Sequence, residues 1–263
     1  MPHDEERASI TTGTMCYEAG VWRGQAAWRS LAAECCGTAL LVALTCLASC
    51  ADPAPTPLQQ ALASGLVVAF IVQCFDHVSG SQLNPTVTLA AVVTGRVPAL
   101  AGALEAAAQL LGALAGGALL RLLAPAPLPH GFCVTRPRQG LSIYKAVGTE
   151  ALLGAGLALA NCASWDARNR CLRDSWPLRI GLTVVAMSLV AGDLTGASMN
   201  PARSFAPALW SGDWTNHWVY WAGPLSGSAL AGALYRAAWR APPAAAPRGV
   251  LPPSPPAADK LQR

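Results

Sequence analysis

Two asparagines, two glutamates and one arginine are the residues whose types and placement most invite chemistry. Asn84-Pro85-Thr86 and Asn200-Pro201-Ala202 place their asparagines 116 residues apart, and Glu34 and Glu150 each stand 50 residues before one of them. Arg203 directly follows the second motif. An amide offers two donors and an acceptor, an ionised carboxylate only accepts, and a guanidinium only donates and keeps its charge. Such a set can orient a polar solute, but it contains no nucleophile. Asp76-His77 and Asp193 are the remaining acid–base candidates, and neither comes with a nucleophile or a metal-ligand pattern. An enzyme is therefore not expected, nor is a cofactor, a metal or a nucleic-acid partner. Of the nine cysteines, Cys35, Cys36, Cys46, Cys50, Cys74 and Cys162 lie in or beside apolar runs. They are expected to be free thiols acting as small apolar side chains.

The elements that must position these residues are membrane spans. Of 263 residues, 53% are hydrophobic and only 12% charged, about half the charge of an ordinary soluble domain. Six apolar stretches run roughly over 28–49, 61–75, 98–123, 146–164, 177–190 and 218–239. Each is near the about 20 residues a helix needs to cross about 30 Å of hydrocarbon. The second and fifth are short and need polar flanks to complete the crossing. The runs are rich in alanine and leucine without alternation, which argues against strands. Residues 1–25 and the proline-rich residues 241–263 read as disordered tails. With both ends in the cytoplasm, 13 of the 18 basic residues fall on that side, as the positive-inside rule requires.

The 116-residue shift also carries Gly65 onto Gly181 and Gly80 onto Gly196, and a shift of 115 carries 112–121 onto 227–236. Three spans per copy is an odd number, so the second copy must enter the membrane upside down. That is an inverted repeat, with solute sites near the midplane at the repeat interface. Each Asn-Pro motif opens a short apolar run between spans. Asparagine suits the N-cap, and proline suits the first turn, where its missing N–H is not needed. A half-helix of about 10 residues is about 15 Å long, half the hydrocarbon thickness. Two of them would meet tip to tip. Irregular backbone at that depth is tolerated around a water-filled cavity, and the positive helix ends would oppose cations.

Ser79-Gly-Ser-Gln-Leu-Asn-Pro-Thr-Val-Thr-Leu89 and Thr195-Gly-Ala-Ser-Met-Asn-Pro-Ala-Arg-Ser-Phe205 resemble the two signature loops of the major intrinsic proteins, the aquaporin family. The segment from Asn216 to Pro224 resembles the start of that family's sixth span. The likeness spans residues 26–240, with repeat one about 26–123 and repeat two about 144–240. It implies an all-α membrane protein of six transmembrane helices and two re-entrant half-helices. It also implies a pore in each subunit, a homotetramer in a lipid bilayer, and Glu34 and Glu150 bracing the loops. The selectivity filter would comprise Ser64, Ser188, Ala197 and Arg203. Water-selective relatives carry rings at the first two positions, whereas both are serine here, and two hydroxyls in place of two rings leave room for glycerol or urea. Ser204, Ala208 and the Tyr220-Trp221 pair instead resemble water channels. The mixture is similar to the insect entomoglyceroporins and implies passive passage of water, glycerol and urea in the plasma membrane. A strict water channel, with Met187 filling the serine gap, is the alternative. A coupled transporter would need an ionisable pore residue besides Arg203.

Three departures from the family pattern stand out. Thr86 replaces an alanine. Ala197 replaces a cysteine common in mercury-blocked relatives, leaving Cys74 as the first suspect for a pore thiol. Glu105 stands where an aromatic residue is frequent, and two readings of it stay open, a functional intramembrane acid or a hydrogen-bonded acid at the tetramer interface.

Overall fold

The computed structural model describes residues 25–125 and 127–241, and its regular structure is helical. The two tails lie outside the described residues, apart from Gln25 and Ala241. The long helices are α1 (Gln25–Leu47), α2 (Pro57–Ser79), α4 (Ala99–Leu123), α5 (Ile143–Trp165), α6 (Trp176–Thr195) and α8 (Val219–Leu234). Between them sit the short α3 (Pro85–Val93) and α7 (Pro201–Ser211).

Among the described residues, five segments, covering α1, α2, α4, α5 and α6, are long and apolar enough to cross a membrane. The second and fifth spans gain the expected polar flanks. Thr56 and Gln59 form a capping box at the start of α2, and both α2 and α6 close on left-handed glycines, Gly80 and Gly196. The sixth span departs from a single uninterrupted helix. α8 is 16 residues long and continues as a π-helical turn over Tyr235–Trp239. Arg236 and Arg240 donate from this region to the carbonyls of Val93 and Thr94 at 2.9 Å each. They thus supply donors to the negative end of α3.

The repeat is visible in the packing. α1 lies along α4 as α5 lies along α8, and α2 crosses its own counterpart α6. Small residues permit these contacts. A Cβ on Gly112 would stand 2.1 Å from the Cys35 carbonyl oxygen, and one on Gly227 would stand 1.8 Å from that of Ala151. At the α2–α6 crossing, a Cβ on Gly65 would meet the Gly181 oxygen at 2.3 Å, and one on Gly181 would meet the Gly65 oxygen at 2.6 Å. The outside is apolar, with Leu111, Leu122, Leu152, Val190 and Leu230 exposed, while Glu34, Glu105 and Glu150 are fully buried. This inversion of the soluble pattern suits a chain surrounded by hydrocarbon.

Two expectations are corrected here. Cys46 is not a free thiol: it forms a disulfide with Cys133, 87 residues away, with a Cα–Cα distance of 5.6 Å. Cys46 faces inward at the end of α1, and the segment between α4 and α5 folds over it. Cys35, Cys36, Cys50, Cys74, Cys162 and Cys171 are free. Glu105 is not at the protomer's periphery. It is fully buried within one chain, accepting from Ser30 Oγ at 3.1 Å and from Gln82 Nε2 at 2.9 Å.

Candidate functional site

Each half-helix begins as its sequence requires. Asn84 Oδ1 accepts from the Thr86 N–H at 2.8 Å, and Asn200 Oδ1 accepts from Ala202 and Arg203 N–H groups at 2.9 and 3.3 Å. Pro85 and Pro201 occupy the first turn. α3 has 9 residues and α7 has 11, bracketing the length expected for a half-crossing.

The approach to each tip is strained in the same way. Ser81 and Ala197 both have φ of 42°, and Leu83 and Met199 both have φ of 56°. Non-glycine residues in this left-handed region cost about 1–3 kcal/mol each and persist only when the surroundings impose them. Two buried carboxylates impose them. Glu34 accepts from Ser79 Oγ (2.6 Å), Gln82 N (2.9 Å), Leu83 N (2.7 Å) and Gln109 Nε2 (2.8 Å). Glu150 accepts from Thr195 Oγ1 (2.7 Å), Ser198 N (3.0 Å) and Met199 N (2.9 Å). These sets correspond under the 116-residue shift, apart from Gln109, which serves only the first.

The two tips also lock each other. Asn84 Nδ2 donates to the Met199 carbonyl and Asn200 Nδ2 donates to the Leu83 carbonyl, both at 2.9 Å. An amide nitrogen carries two N–H groups, so one on each asparagine remains for a solute. Both asparagines line a cavity of 570 Å³ that runs through the bundle. Ser64, Ser188, Ala197 and Arg203 line the same cavity. Arg203 Nη1 donates to the Cys133 carbonyl at 3.0 Å. Pro85, Thr86, Pro201 and Ala202 are buried behind the tips and do not line it. Neither do Met187 and Cys74. Met187 packs its Cε against Gly156 of α5, and Cys74 is exposed on the outside of α2.

The wall holds more charge than the sequence reading placed there. Arg136 and Asp193 line it as well. Arg136 pairs with Asp213. Asp213 lies outside the helices, and its carboxyl is held down to about 2, first by the Thr215 N–H and then by the Thr215 hydroxyl and Arg136.

Residues 21–235 match the family described as major intrinsic protein. The chain belongs to that family. As a major intrinsic protein it is a membrane channel and not an enzyme, with the aquaporin fold. It is 39% identical over 222 residues to aquaporin-4 of Mus musculus, covering 82% of this chain and 68% of that one. It is 41% identical over 211 residues to the lens fiber major intrinsic protein of Lithobates pipiens, covering 79% and 80%. Its fold resembles the X-ray structure of the aquaglyceroporin from Plasmodium falciparum, with a TM-score of 0.73, 22% identity, and coverage of 80% of this chain and 96% of that one.

Sequence reasoning missed several wall residues of this channel. Asn161 lines the cavity from α5 and donates from Nδ2 to the Leu157 carbonyl at 2.9 Å. A lone asparagine inside an apolar span is a signal that could have been read. Thr45, Ser49 and Gln60 also line the cavity, but they sit at span ends, where polar residues are commonplace. Cys133 carries no sequence signal for its place beside Arg203.

Proposed function

We propose that this channel passes water together with small uncharged solutes such as glycerol and urea, and excludes ions and protons. The observation that carries this reading is the wall around Arg203. Ser64 and Ser188 line it, and the one aromatic ring lining the cavity among the described residues is Trp176. Trp176 opens α6 twelve residues before Ser188, about 18 Å away along the helix. The displacement of Met187 onto Gly156 removes the side chain that would have closed the gap. Serine hydroxyls both donate and accept, so with the guanidinium they can replace part of a polyol's hydration shell. The fixed charge of Arg203 and the positive ends of α3 and α7 oppose cations at two levels.

A strictly water-selective pore is the second reading, favoured by Ser204, Ala208 and the Tyr220-Trp221 pair. Homotetramer assembly and plasma-membrane placement with both ends inside belong to the proposal. They are supported by the family resemblance and the basic-residue bias, and under them the 124–142 segment lies outside.

Purified full-length chain in proteoliposomes, placed in parallel water, glycerol and urea gradients, tests the reading. Flux of all three above empty liposomes, linear in concentration and independent of ion gradients, is expected. Water flux with glycerol and urea at background would select the strict water channel. Saturating, ion-dependent flux would select a coupled carrier.

A further inference from the structure

We infer that the Cys46–Cys133 disulfide is a positioning element of the pore: it fixes the carbonyl that holds the Arg203 guanidinium, and discrimination between solutes depends on it. The inference rests on the reading of Arg203 as a filter residue.

Arg203 Nη1 donates to the Cys133 carbonyl at 3.0 Å, and Nη2 faces the Cys133 sulfur at 3.7 Å. Among the described residues no carboxylate forms a salt bridge with it. The orientation of the pore's fixed charge is therefore set by the carbonyl and sulfur of one residue on a connecting segment, and it is only as firm as that segment. Cys133 has φ of 64°, a left-handed conformation that a non-glycine residue keeps only when held. On its C-terminal side the segment is held by other means. Thr135 Oγ1 lies 2.7 Å from Ser204 Oγ, and Arg138 N donates to the Leu194 carbonyl at 2.8 Å. On its N-terminal side the backbone bonds are local turns, Phe132 to Pro129 and Val134 to Gly131. The covalent tie to Cys46, fully buried in α1, anchors that arm to a helix. Cys133 lines the cavity and Cys46 does not, so breaking the bond both frees the arginine's acceptor and places a thiol on the pore wall.

The test uses the full-length chain purified without reductant in proteoliposomes, with water and glycerol permeabilities measured on each preparation. Their ratio does not depend on how many channels are folded, so it distinguishes positioning from mere tethering. Reduction with a phosphine, with two new thiols counted by alkylation and intact mass, should lower the glycerol-to-water ratio by about threefold or more, the order of the ordering cost of one long side chain. Cys46→Ser should show the lowered ratio without reductant and fail to respond to it. A charged methanethiosulfonate should block the reduced wild type while sparing the oxidised chain and Cys133→Ser. An unchanged ratio in the reduced chain overturns the inference, as does finding both cysteines as thiols before reduction. Arg203→Val separates the two readings. If it changes the ratio while reduction does not, the filter stands and the disulfide's role falls; if neither changes it, both fall.

Discussion

Ser64 and Ser188 occupy the wall positions where added bulk should act most directly. Neither is fully buried, and both border the same cavity as Arg203. Ser188→His should therefore cut glycerol and urea flux at least about tenfold while water flux falls far less, because a rejected solute loses several contacts at once and each 1.4 kcal/mol is tenfold. Ser64→Phe should act in the same direction and the double variant should go furthest, read by stopped-flow swelling at matched protein density. Arg203→Val removes the fixed charge and should raise proton or cation conductance while water still passes, measured as dissipation of an imposed pH gradient. Equal leak in variant and wild type would remove the charge from the account of ion exclusion. Mercurials should leave the oxidised channel open, since Ala197 offers no sulfur and Cys74 stands on the outside of α2. Block that persists in Cys74→Ser and in Cys133→Ser would require another thiol.

The half-helices show which element-level forces hold the tips. Proline and asparagine start α3 and α7, but four left-handed non-glycine residues precede them, and the two carboxylates offset that strain together with the Ser79 and Thr195 hydroxyls and the crossed asparagine amides. Substituting glutamine turns one acceptor oxygen into a donor facing N–H groups. Glu150→Gln is expected to cost about 2–3 kcal/mol, since hydrogen bonds to charged acceptors contribute about 1.5–3 kcal/mol each and unsatisfied partners add to the loss. Glu34→Gln should cost more, because Glu34 receives a fourth donor from Gln109. Thermal unfolding in detergent checks the order, and an equal or smaller loss at Glu34 would show that Gln109 contributes nothing. The caps and the repeat spacing were legible in the sequence because they depend on residues adjacent in the chain or on identical offsets. The reciprocal bonds from Asn84 to the Met199 carbonyl and from Asn200 to the Leu83 carbonyl were not, since the acceptors are backbone atoms and leave no residue signature.

At the scale of the whole molecule the inverted repeat fixes where two copies can touch. Gly65 and Gly181 meet backbone to backbone at the α2–α6 crossing. Gly65→Ala or Gly181→Ala should destabilise by about 1–3 kcal/mol through overpacking, with a matching fall in the thermal midpoint. A midpoint unchanged by either would mean the helices separate freely there. Composition, span count and the 116-residue period determined the class of protein, the two-fold plan and the tips at Asn84 and Asn200, because these follow from hydrophobic length and repetition along the chain. Tertiary structure alone decided the Cys46–Cys133 bond, the inward place of Glu105, the turn of Met187 onto Gly156 and the carbonyl that holds Arg203. Each depends on which groups, 23 to 87 residues apart in sequence, come together when the helices pack. Pairing at such separations is set by the geometry of the whole bundle and leaves no local periodicity to read.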